Sequence, residues 1–195
     1  ILIDSTGLKA HRGATPPSDR RNRRTWRKRH LVVDLTTAEI LSSKITTHCT
    51  RDSTPIPDLL APITRGLASV RADGAYDRAS VYCAIENHQS DAPTSTRILI
   101  PPGRNAKISN DSGVDSAQRD ANIQQISRVG RRCWQKESGY TRRSLVETAV
   151  SRVKNQFGRA LRSRSMPAQK TEVRIACSIL NTMTKLGMPD GHCVS

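Results

Sequence analysis

Short apolar runs recur along the chain, and their spacing changes from strand-like to helical and back. Ile1-Leu2-Ile3 is apolar and largely β-branched, and predicts a strand running into Asp4. Positions 30–35, His-Leu-Val-Val-Asp-Leu, predict a second strand, and 39–47 alternate well enough for a third. The short Thr36-Thr37-Ala38 link between them suggests a hairpin. Residues 52–66 open on Asp52-Ser53-Thr54-Pro55, a helix-start signal, and carry Ile56, Leu59, Leu60 and Ile63 at helical spacing. Residues 68–72 read as a fourth strand ending at Asp73-Gly74, and 77–87 as a helix. Residues 97–100 read as a fifth strand, stopped by Pro101-Pro102-Gly103. The polar, basic stretch 10–29 reads as a loop. So does most of 103–137, long for a connection, with a short helix over 117–129 through Ile123, Ile126 and Val129. Helices follow over 138–157 and 168–186. Three strands in meander, then strand–helix–strand, then helices, predict an α/β fold with a mixed sheet and helices on its faces. If the first and fourth strands are neighbours, Asp4 and Asp73 lie side by side.

The segment 140–157 is the most informative. On a wheel of about 100° per residue, Tyr140, Arg143, Glu147 and Lys154 fall within a stripe roughly 60° wide. Val146, Ala149, Val150, Val153 and Phe157 form the adjoining apolar face, and Ser144, Thr148 and Asn155 the solvent side. Arg142 is the misfit, pointing into the apolar sector, where it must snorkel. The stripe presents a carboxylate flanked by two cations and a phenol. The carboxylate suits a metal, Arg143 and Lys154 suit phosphates, and Tyr140 suits a phosphate hydrogen bond or a stacked base. The same spacing also fits an ordinary amphipathic helix with a Glu–Arg pair on its rim.

Composition narrows the partner. Lys and Arg number 32 against 17 Asp and Glu, a formal net charge of +15. Such a chain attracts polyanions, foremost nucleic acid, with an anionic membrane or an acidic protein as alternatives. Apolar residues make up 35% and aromatics 3%, so Val, Ile, Leu and Ala must build the core. No apolar run approaches the roughly 18–20 residues of a membrane helix, and nothing at the start resembles a signal peptide. The five cysteines, Cys49, Cys83, Cys133, Cys177 and Cys193, are scattered without a CxxC pair, which predicts buried or inert thiols rather than a zinc site or a disulfide framework. His11, His48, His88 and His192 show no ligand spacing with them.

Tyr140, two residues, Arg143, three residues, Glu147, six residues and Lys154 together resemble the Y-(2)-R-(3)-E-(6)-K signature of bacterial insertion-sequence transposases of the IS-four/IS-five group, within the DDE class. Ile3-Asp4-Ser5-Thr6 resembles the first-Asp strand of that family. Trp26-Arg27-Lys28-Arg29-His30 with Asp34 resembles its second strand, Ala72-Asp73-Gly74-Ala75-Tyr76-Asp77 its second-Asp motif, and Ile179-Leu180-Asn181 its C-terminal helix. The resemblance implies an RNase H-like fold with sheet order 3-2-1-4-5. It implies a catalytic domain over residues 1–190, with the family's N-terminal end-binding segment absent. It implies a protein acting on DNA in the bacterial cytoplasm, with transposon ends and target as partners, and is compatible with a homo-oligomer.

By the same resemblance, Asp4, Asp73 and Glu147 are the catalytic carboxylates and hold Mg²⁺ or Mn²⁺, two ions in all. Two divalent ions about 4 Å apart activate the nucleophile and stabilise the leaving oxygen of a phosphodiester, and oxygen ligands of this kind suit Mg²⁺. The implied reaction is hydrolysis at a transposon end, which frees a 3′-OH, then attack of that hydroxyl on target DNA. Without metal, clustered carboxylates repel by about 4 kcal/mol per pair at 4 Å and an effective dielectric near 20, so raised carboxyl pKa values are expected. Tyr140, Arg143, Lys154, Lys28, His30 and Arg27 are the candidate DNA contacts. Lys28 and His30 also fit a solvated strand edge, Asp4 and Asp73 also fit cap or turn residues, and Asp34 and Asp77 read as structural. The run of Lys and Arg around Trp26 over 20–29 is expected on the DNA backbone. Arg159, Arg162, Arg164, Lys170 and Arg174 are expected to extend that surface. Two rivals remain: a non-catalytic DNA-binding remnant of a transposase, and a different RNase H-like nuclease.

Overall fold

The computed structural model describes residues 1–10, 26–88, 95–109 and 117–187. Strand β1 spans Leu2–Ala10, β2 Trp26–Val33 and β3 Ile40–Thr47. A short helix α1, Ile56–Leu60, precedes β4, Ser69–Ala72. Helix α2, Ala79–His88, precedes β5, Arg97–Leu99. Helices α3, Ala117–Val129, and α4, Arg131–Glu137, lead to a 3-10 turn, Tyr140–Arg143. Helix α5, Ser144–Phe157, β6, Ala160–Leu161, and α6, Met166–Lys185, complete the order.

The sheet runs β3-β2-β1-β4-β5, with β6 pairing β1 off that path. β1, β2 and β3 are antiparallel, while β4 is parallel to β1 and to β5. This is the predicted RNase H-like mixed sheet in its predicted order. Strand parity divides the core in two. Ile1 and Ile3 point to one face, with Val32, Val70, Ile98 and the buried residues of α1 and α2. Leu2 and Leu8 point to the other, with Leu31, Val33 and the apolar stripes of α5 and α6. Side chains alternate along a strand, so Asp4 shares the face of Leu2 and looks toward α5.

Several elements differ from their sequence reading. β1 does not stop at Asp4. It pairs with β2 from Leu2 to Lys9, and that pairing overrides the weak strand propensity of Asp4-Ser5-Thr6-Gly7. Of the predicted loop 10–29, Ala10 belongs to β1 and residues 26–29 to β2; residues 11–25, with most of the basic run and His11, lie outside the described residues, as do His192 and Cys193. The helix over 52–66 shrinks to five residues between Pro55 and Pro62. The connection 103–137 contains α4, whose single buried side chain, Trp134, leaves no periodic stripe to read. The helix over 138–157 breaks into the 3-10 turn and α5. The tighter winding changes the wheel's phase, and Arg142, assigned to the apolar sector, is exposed.

The hairpin between β2 and β3 forms as predicted. Asp34 accepts from the Thr36 and Thr37 amides at 2.6 and 2.9 Å and pairs with Arg65, which suits the structural role read for it. Asp77 does likewise for its loop, bonded to Arg119 at 2.8 Å. Cys177 is buried, while Cys49 and Cys133 are exposed free thiols.

Candidate active site

Asp4 sits where β1 changes neighbours. β4 pairs with it at Leu2 and Ile3, and β6 picks it up only at Lys9 and Ala10. β4 ends at Ala72, so Asp73 emerges beside Asp4, at the carboxyl end of a parallel strand pair, where α/β sheets place their ligands. Asp73 begins a 3-10 turn, Gly74–Tyr76, and its Oδ1 accepts from the Ala75 amide at 2.9 Å. The turn-capping role and the site role therefore coexist, because its Oδ2 faces the other way, toward Arg143.

Helix α5 supplies the third carboxylate. Val146, Ala149, Val150 and Val153 are buried against Leu2, Leu31 and Val33. Each buried Val contributes about 1.5–3 kcal/mol, and the seated helix carries Glu147 on its border with 62% of the side chain exposed. The helix ends at Gly158, whose φ of +83° only glycine adopts readily.

The three carboxylates meet at one cation. Nη2 of Arg143 lies 3.5 Å from Asp4 and 3.6 Å from Asp73, and its Nη1 lies 3.3 Å from Glu147. Burial pushes the Asp4 carboxyl up, Arg143 and the Ser5 amide hold it down, and the Asp73 and Glu147 charges push it up less. Desolvation, not the expected mutual repulsion, is thus the leading cause. Among the described residues no three His, Cys, Asp or Glu side chains are gathered closely enough to chelate an ion as they stand. The guanidinium stands among them instead.

Arg143 is positioned by an aromatic anchor that the sequence reading missed. Trp134, fully buried on α4, packs against Tyr140 with ring centroids 5.6 Å apart. Gly139, at φ +72°, turns the chain between them. Tyr140 is buried against Trp134 and Leu99, which takes its ring out of reach of a stacking base. Its phenol feels Arg143, Asp73 and Asp4, with burial raising its pKa first. Lys154 is half-buried on α5 and makes no ion pair among the described residues.

The β2 candidates are placed elsewhere. Val32 belongs to the core face of α1 and α2, so Lys28 and His30, of the same parity, lie on the side of the sheet away from α5. Lys28 is paired with Asp52 at 3.2 Å. His30 is fully buried and bonded to Thr46 at 2.9 Å, and burial lowers its pKa to about 4. It is a neutral core side chain, neither a phosphate contact nor a solvated strand edge. Arg27 reaches α6, its Nε donating to Gln169 at 3.0 Å. Arg159, Arg162, Arg164, Lys170 and Arg174 are exposed, as a basic surface requires. No helix among the described residues is long and apolar enough to cross a membrane.

No solved structure matches the chain. The family model described as Transposase DDE domain matches residues 1–182, which span β1, β4 and α5 with Asp4, Asp73 and Glu147 on them, and the chain belongs to that family.

Proposed function

We propose that residues 1–190 form the catalytic domain of a transposase of the bacterial insertion-sequence IS-four/IS-five group, which cuts and joins DNA with Asp4, Asp73 and Glu147. The observation that carries this is the convergence of these three carboxylates on the one guanidinium of Arg143. Their donor set, all carboxylate oxygen around a position already holding positive charge, fits Mg²⁺ or Mn²⁺. When bound, a pair of such ions supplies a nucleophile at neutral pH and charge stabilisation at the leaving oxygen.

The chain's own residues do the rest. Backbone amides of Ser5 and Ala75 fix one oxygen each of Asp4 and Asp73. Arg143 neutralises the cluster and stands ready for a phosphate. The Tyr140 phenol and Lys154 flank the scissile group, and the exposed arginines hold the DNA backbone. Strand transfer proceeds by attack of the freed 3′-OH on target DNA, with no covalent enzyme intermediate. The partners are transposon ends and target DNA in the bacterial cytoplasm, bound by a homo-oligomer.

One observation favours the alternative of a DNA-binding remnant without catalysis: the carboxylates are not pre-gathered for chelation. Incubation with duplex DNA carrying candidate ends and Mg²⁺ or Mn²⁺, beside Asp73→Ala, separates the two. Metal-dependent cleavage lost in the variant is the expected result. Salt-sensitive binding without cleavage supports the remnant, and cleavage untouched by Asp73→Ala overturns the carboxylate mechanism.

A further inference from the structure

The sheet face under α6 holds a second site, independent of the carboxylates. Arg29 on β2 pairs in register with Thr6, so it shares the face of Leu8 and points beneath α6. It is 2% exposed, and its Nε and Nη2 have no hydrogen-bond partner among the described residues. Burying cationic donors without partners is costly, and native proteins resolve that with an anion. Among the described residues none serves. The Cys177 thiol acts on Arg29, but burial pushes that thiol up and keeps it neutral. Glu172 shares the space but is spoken for, since its carboxylate accepts from the Arg162 and Ser163 amides at 2.8 Å.

Arg29 forms part of the wall of a cavity of about 620 Å³, between β6 and the first half of α6. The rest of the wall is largely apolar: Leu8, Phe157, Leu161, Val173 and Ala176. The volume lies within the range of small-molecule sites, which combine apolar walls with a few polar groups. A DNA phosphate is the wrong anion, because a duplex cannot follow a group 2% exposed into an apolar recess. A guanidinium instead offers two parallel donors to a carboxylate.

The geometry points to a binding site for a small carboxylate carried on an apolar body, with Arg29 taking the carboxylate and the Leu8–Phe157–Val173 wall taking the body. The ligand would seat β6 and α6 against the sheet, and none of Asp4, Asp73 and Glu147 lines this cavity, so the carboxylates stay free.

Decanoate, decanol and acetate serve as probes, followed by calorimetry and by thermal unfolding of the full chain. Decanoate is expected to bind saturably, one per chain, and to raise the midpoint of unfolding. Decanol, without the charge, and acetate, without the body, are each expected to bind at least about tenfold more weakly. Arg29→Met keeps the volume and removes the orphan charge. It is expected to be more stable than wild type without ligand and to lose at least about tenfold in decanoate affinity. Arg29→Gln provides the same comparison should the Met protein fold poorly. Equal binding of decanol and decanoate, equal binding by both Arg29 variants and wild type, or no saturable binding at all overturns the site. A hydrophobic peptide bearing a glutamate that binds where decanoate does not would reassign the recess to a protein partner and overturn the small-ligand reading.

Discussion

Replacing Arg143 by Gln tests whether the carboxylate cluster is held together by its own cation. A unit-charge pair near 4 Å is worth about 4 kcal/mol at an effective dielectric near 20. The Arg143–Asp4 pair, with side chains 20% and 13% exposed, keeps most of that, whereas Glu147, 62% exposed, keeps little. Removing one partner of a largely buried pair costs about 3 kcal/mol. Against this, Arg143 buries its Nε without a partner among the described residues, which returns about 1 kcal/mol when the side chain is replaced. Urea unfolding without metal is therefore expected to show Arg143→Gln about 2 kcal/mol less stable than wild type. Divalent ions should respond with the opposite sign. Wherever they bind the three carboxylates they must displace the guanidinium, so its removal is expected to tighten Mn²⁺ binding about tenfold, read by calorimetry or by the resonance of free Mn²⁺. Lys154→Gln removes the same charge about 10 Å along the helix from Glu147, without contact, and is expected to leave that affinity within about twofold. An Arg143→Gln protein with wild-type Mn²⁺ affinity would refute the displacement. Mn²⁺ binding that survives Asp73→Asn unchanged would instead remove the metal from this site altogether.

Two further outcomes follow from the packing. His30 takes a proton at about pH 4 when folded, against 6.5 when unfolded. Above pH 6.5 the ring is neutral in both states; between 6.5 and 4 only the unfolded chain gains the proton, so stability falls as pH falls, by about 1.4 kcal/mol per unit. From pH 7 to pH 5 wild type is expected to lose about 2 kcal/mol more than His30→Gln in urea titrations, and the variant should bind DNA unchanged; equal slopes would contradict a buried neutral ring. Val153→Ala removes two methyl groups from a fully buried position of α5. It is expected to destabilise by about 2 kcal/mol in the same assay, and a loss under about 0.5 kcal/mol would mean that the helix is not seated there.

Elements with a sustained period are legible in the sequence itself. The α3 helix runs over the predicted 117–129, and the β2–β3 hairpin turns on the predicted Thr36-Thr37-Ala38 link. What escaped was structure whose cause lies outside its own segment. Asp4-Ser5-Thr6-Gly7 is strand because β2 pairs with it, and β6 is strand because Lys9 and Ala10 offer it an edge. α4 has one buried residue, Trp134, and no second to mark a period. Pro55, Pro57 and Pro62 mattered more to α1 than the apolar spacing around them.

The site was legible by residue identity but not by arrangement, and the 3-10 turn explains why. A wheel of about 100° per residue carried through 140–157 puts Tyr140 and Arg143 on one rim with Glu147. The turn advances about 120° per residue, so from Tyr140 to Arg143 the chain makes a full circle. The two side chains stack one above the other rather than fanning along the rim. Tyr140 then drops onto Trp134, Arg142 swings out to solvent, and Arg143 is left over Asp4 and Asp73. The parity of β1 supplies the other half: Leu2 must be buried under α5, so Asp4 must face it. Neither fact alone places a cation among three carboxylates. Their conjunction does, and it makes Arg143, read as a phosphate contact on the flank, the residue on which the metal-free site depends.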